Sequence, residues 1–261
     1  MGSTSALFTP IKVGNVQLEH RVVLAPLTRV RCNENHAPTP WVTEHYQQRA
    51  TKGGLLIAEA TGVSTRAGPN PYAPGVYTEE QIKAWKNVTD AVHAKGGFIY
   101  LQLIHLGRAT VSSLLPEGVP PISASPIAIK GICELSGEPY EVPHALEANE
   151  IPQVLEDFAQ ASKNAIAAGF DGVEIHAANG YLLDQFINTS SNKRTDRYGG
   201  SIENRVRLTL EVTEAIAQSI GAERVGIRLS PWSEFQVRSF IHNVNRILTR
   251  LYTGHGRRYS L

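Results

Sequence analysis

Five short runs of the chain are almost continuously apolar: Arg21 to Ala25 (RVVLA), Leu55 to Ala60 (LLIAEA), Phe98 to Leu103 (FIYLQL), Gly172 to His176 (GVEIH) and Val225 to Leu229 (VGIRL). Each is followed by a polar or glycine-rich loop and then by a helical pattern, the alternation of β/α units around a parallel sheet. Helices are predicted near Trp41 to Thr51, from Thr78-Glu79-Glu80 to a stop at Lys95-Gly96-Gly97, from about Asn149 to Ala168, and from a Ser201 cap to about Ile220. Strands that are apolar on every position are covered on both faces, as in a closed barrel or a doubly wound sheet. No G-x-G-x-x-G follows the first strand, so a dinucleotide-binding Rossmann domain loses its main support and the barrel is preferred. About 45 Pro-, Gly- and Ser-rich residues separate the third strand from its helix, a length typical of a lid or binding loop.

Composition narrows the partners. Charges nearly cancel, with 25 Lys+Arg against 24 Asp+Glu, so no overall field holds nucleic acid or an anionic membrane, and a small-molecule partner is expected. No apolar run reaches membrane-spanning length, and MGSTSALFTP lacks the features of a secretory signal. Cys32 and Cys133 stand apart without a C-x-x-C pair, which disfavours disulfides and structural zinc and fits a reducing, cytoplasmic setting. The balance is uneven along the chain: residues 237–261 contain five arginines and no acidic residue. There Val237, Phe240, Ile241, Val244, Ile247, Leu248 and Leu251 follow helical spacing and predict one amphipathic helix, whose use as a cover for apolar surface is preferred to a membrane anchor. An eight-stranded barrel needs three strands beyond Leu229, more than about 30 residues supply. The expected fold is therefore an incomplete TIM (β/α)8-type barrel of about five units over residues 1–236, followed by a divergent basic tail.

In such a fold function gathers at the C-terminal strand ends. These carry Ala25-Pro26-Leu27-Thr28, Glu59-Ala60, Gln102, His176 and Arg228. Singly, each has a plain structural explanation: Gln102 or His176 could satisfy buried backbone groups, and Arg228 could pair with Glu59. Five at equivalent positions are harder to dismiss. His176 and Asn179, three residues apart on a turn leaving a strand, can aim two donors at one developing oxyanion, and Tyr181 is a neutral acid able to protonate a carbanion-like centre. A capping histidine and a core tyrosine are the competing account. His176 has no second ligand at metal spacing, so no metal site is expected.

The strings VVLAPLTRVR (Val22 to Arg31), HAANGYLLDQF (His176 to Phe186) and NKRTDRYGGSIENRVRLTLEV (Asn192 to Val212), with Glu59-Ala60 and Gln102, resemble the Old Yellow Enzyme family, which includes the 12-oxophytodienoate reductases, over about residues 6 to 236. The resemblance implies an FMN-binding barrel that takes hydride from NADPH and reduces the C=C bond of α,β-unsaturated carbonyl compounds. It implies that Pro26, Leu27 and Thr28 lie along the flavin, that Ala60 and Gln102 meet its ring, and that Arg228 approaches its N1/C2 carbonyl region. His176 and Asn179 would then hold the substrate carbonyl, with Tyr181 as proton donor. Residues 237–261 depart from the family pattern, and barrel phosphate sites are commonly built by the last two units. The competing expectation is thus a non-catalytic truncated isoform that does not hold FMN. Oligomeric state is left open.

Overall fold

A computed structural model describes residues 5–68, 70–232 and 236. The elements are β1 (Ile11–Val13), β2 (Val16–Leu18), β3 (Val23–Leu24), α1 (Pro40–Arg49), β4 (Leu55–Gly62), α2 (Glu79–His93), β5 (Phe98–Ile104), β6 (Ile122–Ser123), β7 (His144–Ala145), α3 (Ile151–Ala167), β8 (Gly172–Ala177), α4 (Leu182–Ile187), α5 (Ile202–Arg205), α6 (Arg207–Ile220) and β9 (Val225–Leu229). Strands β3, β4, β5, β8 and β9 form one sheet in that order. Every neighbouring pair is parallel. Each connection inside this sheet runs through helix, as consecutive units of a β/α barrel require. The predicted tail helix and the 237–261 boundary lie outside the described residues.

The apolar runs become strands because helices cover one face and the sheet interior the other. In β4, β5 and β8 nearly every residue is buried. The expectation of full cover fails at the two outer strands, where Val23 and Ile227 remain substantially exposed, since an outer strand has a neighbour on one side only. Trp85 of α2 and Phe158 of α3 are fully buried in the main core with Leu56, Ile99, Leu101, Val173 and Ile175. Thr78 caps α2 through a reciprocal capping box with Gln81, the local reason that helix starts where hydroxyl and acids cluster.

Three local features differ from the pattern-based expectation. The first run contributes only Val23 and Leu24 to the ladder, because Pro26 has no N–H to extend it. The long helix predicted from Ser201 is two helices, with Ser201 capping the first and a turn at Val206 before α6. The β1–β2 hairpin carries too short an alternation to stand out. It packs Val16 and Leu18 against Leu55 and Tyr100, and so closes the end of the sheet where strands begin. The opposite end, where strands stop, is left to the long loops. There the segment between β5 and α3 is not structureless: β6 and β7 pair within it.

One irregularity matters for the site. Ala58 pairs with Leu101 and Thr61 with Leu103, so Glu59 and Ala60 together stand opposite Gln102 alone, a β-bulge. Strand residues two apart normally share a face, yet Ala58 lies in the core beneath the helices while Ala60 faces the cavity described next.

Candidate active site

At the C-terminal strand ends lies a cavity of about 250 Å³. Its lining includes all nine residues to which the family resemblance gives a binding or catalytic role: Pro26, Leu27, Thr28, Ala60, Gln102, His176, Asn179, Tyr181 and Arg228. Four others, Asn70, Ala73, Ile104 and Leu106, were not singled out. Ile104 follows Gln102 by two in β5 and was reachable from strand alternation, whereas Asn70 and Ala73 sit in an irregular loop with no periodic signal.

The turn after β8 shapes the polar wall. Asn179 adopts φ 57° and Gly180 φ 80°, left-handed conformations that Asn and Gly tolerate best. The turn is pinned at both ends: the Asn179 N–H donates to Ser230 Oγ at 2.7 Å, and the Gly180 N–H to Asp184 Oδ2 at 2.7 Å. Gln185, fully buried, ties this turn to the end of β5, its amide donating to the carbonyls of Gly180 and Leu106 and its Oε1 accepting from Arg108 N–H and Ser123. These positioning groups escaped the sequence reading because nothing marks an internal Asp or Gln as a turn anchor.

His176 is buried, and burial lowers its pKa to about 3, helped by the guanidinium of Arg228, its register partner in β9. The imidazole is therefore neutral. Its Nδ1 accepts from the Ala178 N–H at 3.4 Å, which leaves the proton on Nε2. The Tyr181 ring stands edge-on to it at 4.8 Å between centroids. Burial raises the Tyr181 pKa, against opposing effects of a Gln236 hydrogen bond and Arg228, so the phenol keeps its proton at neutral pH. Among the described residues neither His176 Nε2 nor the Asn179 carboxamide has a hydrogen-bond partner. Two neutral donor groups and a neutral acid thus face one cavity, which suits an oxygen that gains negative charge.

On the other side Arg228 is half-buried and makes no hydrogen bond or ion pair among the described residues. The alternative pairing with Glu59 does not occur. Glu59 instead is fully buried behind the bulge, accepting from the Arg29 N–H at 2.8 Å and from Tyr46 Oη at 3.3 Å. It anchors the segment just beyond Thr28. Replacing Glu59 with Leu strands both donors and is expected to lower unfolding free energy by roughly 2–4 kcal/mol, whereas Gln, which keeps an acceptor, costs less. Urea titration of both variants checks this, and a Leu variant as stable as the parent would deny Glu59 the anchoring role.

Residues 6–251 match the NADH:flavin oxidoreductase / NADH oxidase family. The chain belongs to that family. It is an Old Yellow Enzyme family member, and the match runs past Gln236 into the basic segment. The chain is 53% identical over 229 residues to 12-oxophytodienoate reductase 1 of Oryza sativa, covering 88% of this chain and 60% of the relative. It is 50% identical over 233 residues to a chanoclavine-I aldehyde reductase of Penicillium roqueforti, covering 88% and 61%. Among solved structures, morphinone reductase in complex with tetrahydroNAD superposes with a TM-score of 0.90 at 44% identity, over 95% of this chain and 70% of that one. The Old Yellow Enzyme homologue from Zymomonas mobilis gives 0.88 at 43%, over 94% and 71%. This Old Yellow Enzyme chain therefore spans about three fifths of the length of its curated relatives, and its five-stranded sheet is part of a TIM-type barrel. No described helix is long and apolar enough to cross a membrane.

Proposed function

We propose that the protein is an FMN-dependent oxidoreductase that uses NADPH to reduce the C=C bond of small α,β-unsaturated carbonyl compounds. The observation that carries this reading is the convergence of His176, Asn179, Tyr181 and Arg228 on one cavity. The residues present fit a flavin: an unpaired, half-buried guanidinium suits the electron-rich edge of its ring, and the small Ala60 side chain leaves room for a flat group. Pro26, Leu27, Thr28, Ala60, Gln102 and Arg228 would hold it. When bound, FMN supplies the hydride that adds to the β-carbon of the enone.

The chain's own groups do the rest. His176 Nε2–H and the Asn179 amide grip the carbonyl oxygen, and because negative charge accumulates there as the bond order shifts, they stabilise the transition state more than the substrate. Tyr181 delivers a proton to the α-carbon from its hydroxyl. A neutral imidazole is the better partner for this phenol: a cation at His176 would lower the tyrosine pKa and favour loss of its proton.

Phenols test the donor pair, since a phenolate mimics the charged oxygen. The full chain loaded with FMN is expected to bind para-substituted phenols as phenolates and to show a perturbed flavin spectrum. His176→Leu combined with Asn179→Leu should abolish the perturbation. A double variant that titrates like the parent would remove the pair from substrate binding.

A further inference from the structure

Gln102 and Glu174 are register partners on β5 and β8, and Gln102 Nε2 lies 2.7 Å from Glu174 Oε1. A carboxylate only accepts, so this contact fixes which end of the carboxamide faces it. The NH2 is therefore the end of the Gln102 carboxamide that meets Glu174, and Oε1 takes no part in that contact. Gln102 is 1% exposed and lines the cavity, whereas Glu174, half-buried, stands outside that lining. Among the described residues Gln102 Oε1 accepts no hydrogen bond. A carbonyl that accepts no hydrogen bond, on a residue in the cavity wall, is placed to accept from a ligand donor.

We propose that Glu174 is a positioning residue that locks the Gln102 carboxamide with its carbonyl toward the cavity, so that the site presents an acceptor to a ring N–H of its ligand. Without the lock the amide can turn by half a rotation and present NH2 in the same place, reversing the polarity of that wall. Burial raises the Glu174 pKa overall, opposed by the Gln102 hydrogen bond and by Arg228, which comes from β9, the strand on the other side of β8; both opposing groups favour the carboxylate that accepts from the Gln102 NH2. His176, two residues along the same strand, is neutral and does not compete.

The inference rests on the flavin reading for the identity of the ligand, not for the lock itself, and the two are separated by two measurements. In the ligand-free full chain, the side-chain NH2 signals of Gln102, assigned by loss in Gln102→Ala, should be shifted and protected from exchange. They should lose both properties in Glu174→Leu, which removes any acceptor, and in part in Glu174→Gln, which lets the pair adopt either orientation. The second measurement compares lumiflavin, which carries a ring N3–H, with N3-methyl-lumiflavin. The parent is expected to favour the N–H compound by about tenfold or more, and the variants by less than about threefold. Unchanged Gln102 signals in both variants would overturn the lock, as would undiminished discrimination in a variant that still binds lumiflavin. If the Leu variant does not fold, the isosteric Gln variant decides. Failure of the parent to bind either flavin would count against the flavin reading and leave the NH2 signals to judge Glu174.

Discussion

Tyr181→Phe is expected to slow enone reduction by about 10²-fold while leaving reduction of the bound flavin by nicotinamide nearly intact, the loss typical of a removed general acid. The substitution deletes one oxygen and keeps the ring that packs edge-on to His176, so the cavity wall and the two donors stay in place. Separate stopped-flow measurement of the two half-reactions discriminates. Because burial holds the phenol pKa above its usual value, the parent's rate should not fall between pH 7 and 9 from loss of this proton. Unchanged enone turnover in the Phe variant would place the proton donor elsewhere.

The second large effect is on stability in acid. His105 and His176 are both buried, with pKa lowered to about 3, chiefly by burial. In the unfolded chain the same imidazoles protonate near pH 6.5. Between those values the unfolded state binds more protons, so stability is full above about 6.5 and falls as pH drops toward 3. The slope is about 1.4 kcal/mol per pH unit for each histidine. Glu59 and Glu174, whose pKa values are raised by burial, act in the opposite sense, since protonation favours their folded form. The clean test is therefore a difference. His105→Gln, which keeps an acceptor for the Gly107 N–H, should lose less stability than the parent on going from pH 7 to 5, by about 2 kcal/mol in urea titrations. Parallel losses in the two proteins would mean that His105 is not held neutral.

The sequence made much of this legible, for a definable reason. Strands β4, β5 and β8 are covered on both faces, so their burial is written as continuous apolar runs, and of the polar residues that interrupt those runs near their ends Gln102 and His176 face the cavity while Glu59 anchors the segment beside it. Glu59, Gln102 and His176 stand out because a polar side chain inside such a run is costly unless it has a partner or a task. What stayed illegible depends on geometry rather than type. Nothing in AEATG announces that Ala58 and Ala60 face opposite ways, and no composition distinguishes the left-handed Asn179 from any loop asparagine. Val206 interrupts a perfectly helical pattern. The partnership of Gln102 with Glu174 joins residues 72 apart in the chain, and only the sheet register brings them together. The supports supplied by Asp184 and Gln185 are hidden in the same way, since their value lies in which backbone groups they satisfy.

The extra residue opposite Gln102 bears on how this strand tolerates change in length. Side chains along β4 alternate like a two-stroke rhythm, and the bulge inserts one silent beat between Ala58 and Thr61. Upstream, Leu56 and Ala58 lie in the core beneath the helices, and downstream Thr61 and Gly62 resume the ladder with Leu103 and Ile104. A substitution at Glu59 or Ala60 alters one side chain, whereas removal of a single residue there would leave one residue opposite Gln102, so that either the buried acceptor for Arg29 and Tyr46 or the small residue of the cavity wall is lost. The extra residue is what lets β4 supply a buried anchor and a piece of the cavity wall at one level of the sheet.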